Sequence, residues 1–183
     1  PVALNTTVTN AAICPTGDQD WYRVNLTQPG RLSVLATNVP SNLRLQLEIY
    51  DVNIGWMSVY RTAYNDGEPV NLLFDAERLG TYFVRVIDAD SHASAQPFNL
   101  AFGFTPVVDP YESNDDGGHA TLLTNAVTRA YSFPGGDVDW YRVYCNAGAV
   151  LRFWITNNPA SSVYSLQLYS PDQVYLGVWQ QAN

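Results

Sequence analysis

The chain repeats itself at a domain-sized interval, and that constrains its fold more than any other feature. The stretch TGDQDWYRVNLTQPGRLSVLATNVPSNLRLQLEIYD from Thr16 is answered by GGDVDWYRVYCNAGAVLRFWITNNPASSVYSLQLYS from Gly135. Asp18 pairs with Asp137, an offset of 119, and the same offset without a gap pairs Asp20 with Asp139, Trp21 with Trp140, Leu32 with Leu151, Asn38 with Asn157 and Tyr50 with Tyr169. Solenoid and propeller repeats run about 20 to 50 residues, so a period of 119 means tandem domains. The first spans 1–107. The stretch VVDPYESNDDGGH, rich in Pro, Gly and acids, makes 108–119 a joint. The second domain, 120–183, stops opposite Tyr64 and lacks its last strands, and residue 1 corresponds to position 120, so the first copy has no counterpart of the joint.

Each copy reads as short strands of alternating character broken by Gly, Pro, Asn and Asp, with no helical periodicity. In the first copy strands are expected near 21–27, 31–37, 43–50, 55–61, 69–74, 80–87 and 96–103. Along the first of these, Tyr22, Val24 and Leu26 share one face and Trp21, Arg23 and Asn25 the other. Seven or eight strands in such a length suit two stacked antiparallel sheets. The expected fold is therefore all-β: two tandem antiparallel, jelly-roll-like β-sandwiches, the second incomplete.

With 46% hydrophobic residues the chain can bury a real core. It contains no apolar run of 18 residues and opens without a signal-peptide pattern, so neither membrane insertion nor a leader is expected. A net charge of -8 repels phosphate backbones and anionic lipid, which argues against nucleic acid as a partner. Cys14 aligns with Phe133 and Cys145 with Leu26. Both are expected to be buried thiols in core positions, a bridge being the alternative. Asn5-Thr6-Thr7 and Asn25-Leu26-Thr27 match the N-glycosylation pattern, a match that arises readily by chance.

Chemistry concentrates in two acidic segments, Tyr111-Glu112-Ser113-Asn114-Asp115-Asp116 in the joint and Gly136-Asp137-Val138-Asp139 at the turn entering the DWYRV strand. Calcium takes 6 to 8 oxygen ligands from carboxylates, carbonyls and water, and the two segments together offer such a set. An Asp-rich turn also forms without any metal, because Asp bonds its own backbone. A Y-E-x-N-D segment followed some twenty residues later by G-D-x-D-W-Y-x-V resembles the bacterial pre-peptidase C-terminal domain family, whose relatives include the collagen-binding domains of clostridial collagenases. The resemblance implies a calcium site in the second copy made by Glu112, Asn114, Asp115, Asp137 and Asp139, and a half-built one in the first made by Asp18 and Asp20.

No GxSxG elbow, HExxH helix, P-loop or GxGxxG turn occurs, His119 lies in the joint, and Asp137 and Asp139 share one turn rather than flanking a cleft, so no enzyme is expected. If Tyr22, Val24 and Leu26 face inward, then Trp140, Arg142 and Tyr144 face outward in the second copy, joined by Arg152 and Trp154 of the next strand. Aromatic rings beside guanidinium groups form a candidate ligand surface, or else simply cover the sheet. The sequence thus reads as a secreted, non-catalytic, calcium-stabilised accessory module that tethers a larger extracellular protein to a protein or polysaccharide substrate. The competing reading is a subunit of an extracellular filament, sheath or surface layer, with VALNTTVT as a strand donated to another copy of the chain.

Overall fold

Alternation along β2 (Gln19–Leu26) leaves Val24 and Leu26 buried and Arg23 and Asn25 exposed, as period-2 geometry demands of a strand with one wet face. In the computed structural model, which describes residues 1–124, 128–133, 135–157 and 163–180, the same pattern organises β1 (Thr6–Ala11), β3 (Gly30–Thr37), β4 (Leu45–Tyr50), β5 (Trp56–Thr62), β6 (Val70–Ala76), β7 (Gly80–Asp88) and β8 (Phe98–Pro106). Two four-stranded antiparallel sheets result, ordered β1-β8-β3-β6 and β2-β7-β4-β5. The core lies between them: Leu32, Val34, Phe98, Leu100 and Phe102 from one sheet meet Val24, Leu45, Leu47, Ile49 and Val84 from the other. The β-sandwich is therefore present.

The seven expected strands of the first copy all form. The eighth, β1, pairs with β8 through Thr6↔Phe102 and Val8↔Leu100, so the segment read as a donor to a neighbouring chain is satisfied within its own sandwich. A pairing across some 90 residues leaves no local trace in the sequence.

The chain divides into two units: Pro1–Pro110 with Tyr131–Asp137, and Tyr111–Ala130 with Val138–Asn183. The described residues of the second unit carry two two-stranded sheets, β9 (Thr121–Leu122) parallel to β10 (Tyr141–Arg142), and β11 (Ser165–Tyr169) antiparallel to β12 (Tyr175–Gln180). The stretch that answers β3 at the offset of 119, residues 149–156, joins no sheet, whereas β4 and β5 are answered by β11 and β12.

Where partners exist, geometry repeats in detail. Tyr50↔Trp56 is matched by Tyr169↔Tyr175, and the Trp21–Tyr50 ring pair at 4.8 Å by Trp140–Tyr169 at 4.7 Å. The left-handed residues Asn38 and Ile54 recur as Asn157 and Gln173. Among the described residues no helix is long and apolar enough to cross a membrane.

Both cysteines are exposed, contrary to the expectation of buried thiols. In the first copy the core position is filled one residue earlier, by fully buried Ile13, and Cys14 turns outward. Cys145 sits where the strand answering β2 has ended, so no sheet carries it inward.

Candidate functional site

The DxD turn has the same local construction in both copies. Asp18 Oδ2 accepts the Cys14 N–H at 3.0 Å, and Asp137 Oδ2 accepts the Phe133 N–H at 3.0 Å. The following glycine-bearing turn needs a positive φ, supplied by Gly17 at 80° and Gly136 at 94°. The first aspartate of each pair thus closes its own turn, and in the first copy Asp18 Oδ1 is occupied as well, by the Gln19 N–H at 2.9 Å.

Asp20 lies half-buried on β2, its Oδ2 3.4 Å from the Tyr22 hydroxyl. Burial raises its pKa above the ordinary carboxylate value, and the negative charge of Asp18 raises it further, while the Tyr22 hydroxyl opposes both. Burial beside the same carboxylate pushes the Tyr22 phenol up strongly. The first copy therefore holds two acids in mutual opposition, with no Y-E-x-N-D segment beside them in the sequence.

Of the five residues expected as ligands in the second copy, Glu112, Asn114, Asp115 and Asp139 belong to the second unit, and Asp137 ends a segment of the first. Asn114 ties the joint segment to Asp139 and Trp140. Its backbone carbonyl accepts the Trp140 N–H at 2.8 Å, and its side-chain Nδ2 donates to Asp139 Oδ1 at 3.1 Å and to the Trp140 carbonyl at 3.3 Å. Both of those neighbours are acceptors, so the amide nitrogen must face them and the assignment of O and N is fixed by chemistry. The other end, Oδ1, is fully buried and has no hydrogen-bond donor among the described residues. Carboxylate oxygens of Glu112 and Asp115 lie within 4.8 Å of each other, both residues exposed. In the first unit the carboxylates of Asp109 and Asp137 approach equally closely.

Asp116, next to this group, is engaged elsewhere. Its Oδ1 accepts the Gly118 and His119 N–H groups at 2.8 and 3.0 Å, and the His119 ring Nδ1 lies 2.9 Å away. Those hydrogen bonds, the ring's foremost, lower its pKa. The second histidine, His92, donates its backbone N–H to Asp88 Oδ2 at 2.6 Å.

The aromatic surface expected in the second copy has Arg142, Tyr144, Arg152 and Trp154 exposed, and Trp140 half-buried against Tyr169. Only Tyr141–Arg142 of this stretch is strand, so the alternation meant to align Tyr144, Arg152 and Trp154 on one face is not carried that far.

The sequence reading passed over a second cluster altogether. On the outer face of β2-β7-β4-β5, register places Trp21, Arg85, Glu48 and Tyr60 in one cross-strand row. An open depression of about 510 Å3 lies over it, lined by Gln46, Glu48, Tyr50, Trp56, Tyr60 and Arg85. Glu48 is only 4% exposed. Its Oε2 accepts Arg85 Nε at 2.7 Å and the Tyr50 hydroxyl at 2.8 Å, and its Oε1 accepts Gln46 Nε2 at 2.5 Å. The Arg85 guanidinium also stands 5.7 Å from the Trp21 ring and 5.4 Å from the Tyr50 ring. A strand pattern of Leu45, Leu47 and Ile49 alternating with Gln46, Glu48 and Tyr50 marks the second set as the wet face. Only a pairing with β5 and β7 reveals that its centre is covered.

No family model matches the chain, and no curated protein matches it. Among solved structures it is similar to the pre-peptidase C-terminal domain of a collagenase from Bacillus anthracis, a crystal structure at 1.0 Å, with 19% sequence identity and a TM-score of 0.43, covering 55% of this chain and 90% of that one.

Proposed function

We propose that the chain is a non-catalytic, extracellular accessory module, stabilised by calcium, that tethers a larger secreted protein to a polymeric substrate. The observation that carries the calcium reading is the Asn114 side chain: a buried carbonyl oxygen without a donor, on a residue whose other atoms are tied to Asp139 and Trp140. Such an acceptor left bare costs about 1–3 kcal/mol, and a cation removes that cost where a hydrogen-bond donor does not. The surrounding chemistry is that of a hard cation: all-oxygen side chains, with the Glu112–Asp115 pair in the same unit. Glu112, Asn114, Asp115 and Asp139 would hold the ion, with Asp137 two residues before Asp139 on the DxD turn. Calcium would there neutralise clustered carboxylates and fix the joint segment to the start of the DWYRV strand.

In the first copy Asp18 is already committed to its turn, and the same reading assigns Asp18 and Asp20 at most a partial site. The filament reading loses its specific support, because the donor strand it invoked is paired with β8.

The test is thermal melting in EGTA and across a calcium titration, for the native chain, Asn114→Ala and the double variant Asp115→Ala/Asp137→Ala. A metal that binds only the folded state adds RT ln(1 + [L]/Kd), about 2.7 kcal/mol at a hundredfold excess over Kd. The native chain is expected to melt higher with calcium and both variants to lose the increment. A native melting curve indifferent to calcium would leave these acids as ordinary turn residues.

A further inference from the structure

The cleft over the Glu48–Arg85 pair contains more than the sandwich needs. We infer that it is a carbohydrate-binding site for a neutral pyranose chain, seated on Trp56 and Tyr60 and hydrogen-bonded by the polar cluster at the centre of the sheet. This deepens the tethering part of the reading above by choosing polysaccharide as the substrate and the first unit as the place of contact, and it is independent of calcium.

Four observations carry it. The first is energetic. A carboxylate and a guanidinium with side chains 6% and 23% exposed sit where well-packed apolar residues stabilise a sheet as well or better. Their retention asks for a task other than stability. The second is rigidity. Glu48 is fixed by Arg85, Tyr50 and Gln46, and Gln46 in turn accepts the Thr62 hydroxyl at 2.7 Å, so the polar groups are pre-organised and little conformational entropy is lost when a ligand arrives.

The third is the pairing of chemistries. Trp56 and Tyr60, each 55% exposed, stand side by side at the sheet edge with ring centroids 6.2 Å apart. Large open rings offer an apolar platform at low entropy cost. Beside them the half-buried Arg85 and Gln46 bring N–H donors, and the Gln46 carbonyl an acceptor, all held in place by Glu48 beneath. A sugar ring has the same division, an apolar C–H face and a rim of hydroxyls that each donate and accept. The fourth is exclusion. An anionic ligand meets Glu48 and a chain of net charge -8. An extended peptide added by strand pairing uses backbone groups that lie in the sheet plane rather than on this face. Three inter-strand spacings of about 4.8 Å make the row from β2 to β5 about 14 Å across, long enough for an oligosaccharide rather than a single sugar.

The experiment is electrophoresis of the full chain through native gels containing hydroxyethylcellulose, arabinoxylan, galactomannan, dextran or starch, with a gelatin gel alongside, each run in calcium and in EGTA. Retardation by at least one polysaccharide, in both buffers, is expected. Trp56→Ala and Tyr60→Ala should each weaken it about tenfold, the loss of one ring contact. Tyr64→Ala, an exposed tyrosine away from the cleft, should leave it unchanged. Circular dichroism melts confirm that the variants fold. Unimpeded migration in every polysaccharide gel overturns the inference. So does retardation by gelatin alone, which would keep the tethering reading but make the ligand a protein, and so does an equal loss from Tyr64→Ala, which would mean general adhesion.

Discussion

Replacing Arg85 by Met removes the guanidinium and leaves Glu48, 4% exposed, as a buried carboxylate whose principal counter-charge is gone. Breaking a buried pair by deleting one partner costs about 3–5 kcal/mol. Glu48 keeps the Tyr50 hydroxyl and the Gln46 amide as donors, which places the cost at the lower end, about 3 kcal/mol. For a folding unit of this size about 4 °C of melting temperature goes with each kcal/mol, so Arg85→Met should melt about 12 °C lower. Glu48→Leu should cost less, about 1–2 kcal/mol, because Arg85 reaches solvent and keeps its contacts with the Trp21 and Tyr50 rings. The double variant carries no buried charge and should return to within about 1 kcal/mol of the native chain. Urea melts of the four proteins give the coupling directly. Costs that simply add, or an Arg85→Met loss below about 1 kcal/mol, would refute the claim that the pair's value lies in mutual neutralisation. The double variant also separates the two roles of the pair: it should fold and no longer be retarded by polysaccharide.

Further outcomes follow from other sites. A Cβ on Gly30 would lie 2.5 Å from the Thr105 carbonyl oxygen and 2.6 Å from Phe104 Cζ, so Gly30→Ala should cost about 2–3 kcal/mol in a urea melt, and a cost under about 0.5 would mean that β3 and β8 part easily there. Asp88, its side chain 1% exposed, accepts the backbone N–H groups of Arg44, Asp90 and His92; Asp88→Ala should lower stability by about 3 kcal/mol, measured the same way. Asp20 has a folded pKa above its ordinary 3.8, so its protonation favours the folded state: that contribution is complete below pH 3.8 and is lost as pH rises through the raised value. Asp20→Asn in EGTA should accordingly change little at pH 3 and raise the melting temperature at pH 7, and equal increments at both would contradict the burial argument. In hydrogen exchange, β3, β4, β7 and β8, each flanked by strands on both sides, should hold their amides longest, and the β11–β12 hairpin should exchange near the rate of an isolated hairpin.

The first sandwich was legible because its strands carry their burial pattern locally. Val24 and Leu26 against Arg23 and Asn25, or Leu45, Leu47 and Ile49 against Gln46 and Tyr50, state which side is wet without reference to any partner. The DxD and Y-E-x-N-D segments were legible for a similar reason, since oxygen-rich side chains at turns declare their chemistry in the sequence. What depends on a distant strand was not. β1 was seen as a strand, but its partner β8 could not be named, and nothing local singles out Glu48, because the residues that cover it, Arg85 and Tyr60, come from β7 and β5. The alignment of Cys14 with Phe133 misled in another way: a shift of one residue along the chain hands the core position to Ile13.

The two copies together separate local from non-local determinants within one molecule. Leu32 and Val34 are wholly buried on β3, yet their counterparts Leu151 and Phe153 are 43% and 47% exposed, with apolar side chains at equivalent positions. Hydrophobic pattern alone therefore does not make a strand; two hydrogen-bonded neighbours and a facing sheet do, and for β3 those come from β6, β8 and β2-β7-β4-β5. Turns behave differently. The Asp137 turn, the left-handed Asn157 and Gln173, and the β11–β12 hairpin keep the geometry of their first-copy counterparts because each is closed by residues within a few positions. The acidic group around Asn114 stands on the non-local side of that division: its two hydrogen-bonded partners, Asp139 and Trp140, lie 25 and 26 residues further along the chain, where the DxD turn meets β10. A cation bound there would then add stability where the second unit has fewest strand pairings to supply it.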